Sequence, residues 1–165
     1  MTIHWKTIIV HLRQELVDYG ALLGLYDEQQ RALIARKPDT VLGLSSKIKE
    51  QLDRVIASRE ARERVVSEFA LAHRMAADST LRSLLAVIDK DAHGLFEALI
   101  AELNLLLHRV RRTHRQNHTL LNFTVNMHRE LLQALRPNSF TRTYSPSGMV
   151  SIAAGRVAST LCVAG

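Results

Sequence analysis

Apolar residues recur along most of this chain at alternating intervals of four and three. In the first stretch Trp5, Ile9, Leu12, Leu16, Tyr19, Leu23, Tyr26 and Leu33 fall on one line, with Gln30 the single polar member. A repeat near 3.5 residues predicts one stripe of a long helix that packs along another helix. That helix is expected from about 2 to 36. Lys37-Pro38-Asp39 should end it, because a proline disfavours helical geometry at the residue before it and Asp39 is a good cap for a following helix. Gly20 and Gly24, one turn apart, read as a place where a neighbouring helix comes close.

A second helix is expected over about 40–75. Val41, Ile48, Leu52, Val55, Val66 and Phe69 share a heptad seam, with Ser45, Arg59 and Arg62 in its remaining slots. The charged run from Ser58 to Arg64 reads as a solvated stretch where the partner helix has diverged or ended, with Glu60 and Arg64 paired one turn apart. Asp78-Ser79 offers another cap, ahead of a short helix over 80–89 carrying Leu81, Leu84, Leu85 and Ile88. The last helix is the longest, from about 91 to 136. Its seam runs Phe96, Leu99, Leu103, Leu106, Val110, Thr113, Asn117, Leu120, Thr124, Met127, Leu131 and Ala134 without a slip. At 1.5 Å per residue it would extend roughly 65–70 Å. Arg136-Pro137-Asn138 should end it.

Helices of this length are marginal alone in water and must each lay a stripe against another. The expected fold is all-α. It is an antiparallel bundle of three long coiled-coil-like helices plus one short helix over residues 1–137, followed by a flexible tail over 138–165. The tail is rich in Ser, Thr, Gly and Pro, yet it carries Phe140, Tyr144, Met149, Val150, Ile152, Val157 and Leu161. Such a segment buries too little to fold alone and suits ordering against a partner.

Composition supports this picture and narrows the chemistry. The aromatic share is 5% against 47% hydrophobic, which favours helices over a sandwich. The single cysteine, Cys162, has no partner for an intramolecular disulfide, so a reducing, cytoplasmic location is expected. No secretory pattern and no apolar run long enough for a membrane span are visible. Residues 1–102 carry 14 Lys/Arg against 15 Asp/Glu, whereas 103–165 carry 8 against 1. The basic excess therefore belongs to the last third and suits an acidic protein, a nucleic acid or a membrane surface.

Motifs for catalysis are missing: no phosphate loop, no HExxH, and Cys162 has no neighbouring base. No enzymatic role and no cofactor are expected. His114 and His118 have the one-turn spacing of a metal pair but no third ligand, so no metal site is assigned. The run His108, Arg109, Arg111, Arg112, His114, Arg115, His118 lacks aromatic neighbours for base stacking. A solvated face or a surface for an acidic protein explains it better than nucleic acid.

The strongest functional pattern lies near the end of the last helix. Asn117 interrupts the apolar seam, as a buried asparagine that fixes helix register would. Beyond it a second stripe appears: Leu121, Val125, His128, Leu132 and Leu135. Together with Leu120, Met127 and Leu131 it broadens the apolar face. One stripe serves the bundle; the other needs the tail, a second copy, a client helix or the short helix of the bundle itself. We expect the tail (Tyr144, Met149, Ile152) to cover Leu121, Val125 and Leu132 until a client helix displaces it.

Several segments together resemble the FlgN family of flagellar export chaperones. They are Leu22-Leu23 through Glu28 and Leu33 before Pro38-Asp39, and Lys47/Lys49 leading to Leu52 and Arg59. Asn117-His118-Thr119-Leu120-Leu121 ahead of Leu131-Leu132 is a third. Thr143-Tyr144-Ser145-Pro146-Ser147-Gly148 is similar to the short Tyr-x-x-x-Gly element after the family's last helix. The resemblance covers about residues 5–150 and says nothing of 151–165. It implies a cytoplasmic protein that binds the C-terminal helices of hook-filament junction proteins, prevents their early assembly and brings them to the export gate. It implies no nucleotide and no metal, and the residue pattern adds no nucleic acid and no stable membrane insertion. Tyr144 would contribute to client or gate contacts. A homodimer remains compatible. The rival readings are a basic nucleic-acid-associated helical protein and a coiled-coil scaffold or adaptor.

Overall fold

The computed structural model describes residues 4–135 in full, and the backbone alone of 140–144 and 150–154. Three long helices account for most of it: α1 (Trp5–Ile34), α2 (Pro38–Ala72) and α3 (Lys90–Leu135). The expected short helix is a single 3₁₀ segment, Ser83–Val87. Its N-cap position is Arg82, without a side-chain cap bond, rather than Asp78 or Ser79; the preceding turn is closed by Thr80 Oγ1, which accepts from the Ser83 N–H at 3.2 Å. No described helix is long and apolar enough to cross a membrane. The chain divides into two compact units, Met1–His118 and Thr119–Gly165. The compositional break at Pro137 comes later than that division, which falls inside the continuous α3.

In the first unit α2 runs back along α1. Gln29 reaches Ser45, Gln51 reaches Asp18, and Arg62 reaches Glu15. α3 follows α1 in the same sense, from the Trp5 indole on Asp89 at 2.9 Å to Asn117 on the Tyr26 carbonyl at 2.8 Å. Ile8, Leu12, Leu22, Phe69, Leu84 and Phe96 are fully enclosed and form one core shared by all three helices and the 3₁₀ turn. The α1 stripe is thus wider than the single seam expected. Ile8, Glu15 and Leu22 join Ile9, Leu12, Tyr19, Leu23 and Tyr26 inside.

α1 and α2 both end without a glycine. Arg36 and Arg74 sit at φ 55° and 59°, where glycine is usual. Each closes the same double cap. The Lys37 N–H donates to the Ala32 carbonyl and Arg36 to Leu33; Met75 donates to Ala70 and Arg74 to Leu71. An arginine in this left-handed region costs about 1 kcal/mol relative to glycine, which the cap bonds and the half-buried Met75 against the core offset. Pro38 is the first helical residue of α2 and Lys37 holds the N-cap position without a side-chain bond, so Asp39 lies in the first turn and acts through the helix dipole.

Three expectations for the interior are corrected. Gly20 and Gly24 are exposed, and a Cβ on either would meet nothing within 4 Å, so no helix approaches there. The charged run of α2 is not past its partner. The Arg62 side chain is only 13% exposed and its Nε donates to Glu15 Oε2 at 2.5 Å, with Glu15 1% exposed. The one-turn ion pair on this run is Arg59–Glu63 at 3.3 Å, not Glu60–Arg64. Glu15 is buried because Arg62 crosses from α2 to meet it, and a carboxylate so enclosed needs that charge.

The second unit holds the rest of α3 and, in the tail, two strands: β1 (Phe140–Tyr144) and β2 (Val150–Ala154). They pair antiparallel from Phe140↔Ala154 to Tyr144↔Val150. Thr141, Thr143, Val150 and Ile152 are β-branched and Phe140 and Tyr144 aromatic, the types that favour extended backbone. A two-stranded ribbon is marginal by itself in water.

Two outcomes follow. Arg62→Ala should lower stability by about 3 kcal/mol, since it strands a buried carboxylate, and the Glu15→Leu/Arg62→Leu pair should recover most of that loss in urea melts. Burial raises the hydroxyls of Tyr19 and Tyr26 above their ordinary value; at Tyr19 Glu15 adds to this and Arg59, Arg62 and Arg111 oppose it. A raised acid ionises first in the unfolded chain. Its stabilisation is therefore complete below about pH 10 and is lost as pH climbs toward the folded value. The Tm of a Tyr19→Phe/Tyr26→Phe variant should fall less steeply above pH 10 than that of the parent.

Candidate functional site

At the downstream end of α1 a polar layer ties the three helices together. Ser45 Oγ donates to the Val41 carbonyl at 2.8 Å and accepts from Gln29 Nε2 at 3.2 Å. Gln29 Oε1 accepts from Asn117 Nδ2 at 3.1 Å, and that same nitrogen also reaches the Tyr26 carbonyl. Gln30 Nε2 touches Gln116 Oε1 at 3.4 Å. Asn117 is 3% exposed and its Oδ1 has no partner among the described residues. A leucine seam tolerates sliding by a heptad; two directed bonds from a single amide do not. The register role expected for Asn117 is therefore the one its geometry supports. His114 packs tilted against Tyr26 with ring centroids 5.3 Å apart, and the His118 ring lies 6.5 Å from that of His114. Among the described residues no group of three or more His, Cys, Asp or Glu is placed to hold a metal ion.

From Thr119 onward α3 is a helix with an open apolar side. Leu120 is half-buried. Leu121, Val125, Met127, Leu131, Leu132 and Leu135 are all between 41% and 78% exposed. Leu121, Val125 and Leu132 are 41%, 44% and 53% exposed, and the tail side chains expected to cover them lie outside the described residues. The polar members of the two stripes do not interrupt the apolar side. Thr124 Oγ1 donates to the Leu120 carbonyl at 2.9 Å and His128 Nδ1 meets the Thr124 carbonyl at 2.8 Å, so both turn back to their own helix.

Phe123 is a member that following two stripes misses. It is 63% exposed, and it precedes Met127 and Leu131 by one and two turns. A wheel drawn at 100° per residue reveals it: the apolar arc from Phe123 round to Val125 spans about 200°. Asn122, Asn126, Arg129, Glu130 and Gln133 fill the remainder. Of the tail residues expected at the site, Tyr144 ends β1 and Ile152 lies within β2, their backbones placed and their side chains outside the described residues. Gly148 and Met149 lie outside the described residues altogether.

α1 and α2 form a helical hairpin to which Asn117 ties α3, and beyond Thr119 the same helix shows an exposed apolar face. A family model described as FlgN protein matches residues 1–152. The chain belongs to the FlgN family. No curated relative and no solved structure matches it. FlgN proteins are flagellar export chaperones, and the matched span takes in the whole helical region, the open face of α3 and the Tyr144 to Gly148 element of this family member.

If Asn117 serves register at the expense of stability, Asn117→Leu in this FlgN protein should raise the unfolding free energy by about 1 kcal/mol, because it removes a buried oxygen without a partner. Urea titration followed by circular dichroism measures this.

Proposed function

We propose that this FlgN-family protein is a cytoplasmic chaperone that binds the C-terminal helices of hook-filament junction proteins through α3 residues 120–135 and carries them to the export gate. It works by binding alone, without catalysis, cofactor or metal. The observation that carries the reading is the open apolar arc of α3 from Leu121 to Leu135, with Phe123 at its edge. Client ends of this kind are amphipathic and zip together when assembled. A rival helix face of matching width holds them apart by offering the same burial. Tyr144, Met149 and Ile152 stand close in sequence to this arm and would add contacts to the client or the gate.

The arc is exposed over its whole length, so substitutions there change binding without removing core contacts. Leu121→Asp/Leu132→Asp should weaken a fluorescent peptide carrying a junction protein's C-terminal segment by at least about 30-fold, the loss expected for one or two central apolar anchors. Val17→Asp, at a still more exposed position on α1, should leave the affinity within about twofold. Anisotropy titration at unchanged far-UV circular dichroism gives both numbers. Parental affinity in the Leu121→Asp/Leu132→Asp protein would place the client elsewhere.

A further inference from the structure

We propose that the outward face of α3 between Leu105 and Arg112 docks an acidic amphipathic helix of a partner protein. Leu105, His108, Arg109 and Arg112 are spaced i, i+3, i+4, i+7, so they share one side of the helix. That side is opposite the core. Leu103, Val110 and Asn117 are buried, whereas all four of these residues are exposed, Leu105 by 62%. No Asp or Glu occurs between Leu103 and His118. The ion pairs formed among the described residues use Arg59 and Arg62 of α2, with Glu15 and Glu63; none reaches Arg109 or Arg112. Here, then, are two guanidinium groups one turn apart without internal carboxylates, on a face that also presents an exposed leucine.

The chemistry selects among partners. A membrane-surface helix needs a continuous apolar face, and Leu105 is the one large apolar side chain of these four. Single-stranded nucleic acid wants aromatic platforms between its cations, and none stands on this face. A second copy of the same face would set arginine against arginine. Carboxylates at one-turn spacing on a partner helix fit the forked guanidinium donors, and an apolar residue between them fits Leu105. This surface does not rest on the client reading, because it lies on other residues than the 120–135 arc.

The test uses the full-length protein and two labelled synthetic alanine-based helical peptides. One carries a leucine among glutamates at i, i+4, i+7 and i+11; the other has the same composition with glutamates spread around the helix. Anisotropy at physiological salt should show the striped peptide binding at least about fivefold more tightly, because only it places its carboxylates on one side. Arg109→Gln/Arg112→Gln should weaken it by at least about tenfold, while Lys47→Gln/Lys49→Gln, which removes the same charge from α2, should change it less than about twofold. Binding of the junction-protein peptide should be the same in both variants, which separates this surface from the client site. Equal affinity for the two peptides, or equal losses in the two variants, would reduce the effect to net charge and overturn the proposal. So would tighter binding, lost in the same arginine variant, to phosphatidylserine vesicles or to a short DNA duplex.

Discussion

Everything in the first unit depends on α1 having two neighbours along one broad stripe. A helix of thirty residues gains little from its own hydrogen bonds in water; packing makes it stable. Ile8, Leu12, Leu22 and Tyr26 lie in a core that also takes Phe69 from α2 and Phe96 from α3. Remove α1 and both of the others lose the residues they bury against it. Because the apolar surface is shared in this way, the position of each helix along α1 sets the position of everything carried further along it.

Apolar seams fix orientation well and sliding poorly, and the polar groups inside this protein supply what the seams lack. Glu15 with Arg62 and Gln51 with the Asp18 carbonyl, at 3.0 Å, fix α2 against α1. Asn117 fixes α3. Each is a directed bond in a place where an apolar residue would add more stability. Their distribution is informative: they sit at intervals along α1, so that neither neighbour can shift by a turn without stranding a buried polar atom.

The periodicity of the sequence was enough to place the three long helices to within a few residues, because a 3.5-residue repeat survives any detail of packing. It was also enough to find Asn117 as the odd member of a seam and the second stripe beyond it. What it hid has physical reasons. Glu15 and Arg62 read as surface charges because pairing across helices is invisible along one chain. Arginines closing α1 and α2 in left-handed geometry give no signal where a glycine would. Phe123 escaped because two narrow stripes were followed where the arc is one wide face. The ribbon of β1 and β2 was hidden by a composition that reads as loop, although Thr141, Thr143, Val150 and Ile152 already favoured extended backbone.

The open arc of α3 raises the question of how a helix with so much bare apolar surface forms before it has a partner. Nucleating a helix is the unfavourable step; extending one is nearly neutral. Residues 90–118 are held in helical form by the core and by Asn117, so 119–135 continue a helix already started and need no nucleus of their own. That makes residues 119–135 helical without a partner, and a client bound as proposed would meet a surface that loses little backbone freedom on contact. The same openness would keep the proposed complex releasable. Under the proposed function, affinity would come from a strip of exposed leucines, and such a strip exchanges one amphipathic helix for another once a better partner is offered. A deeper groove would hold the client more tightly and would serve a carrier less well.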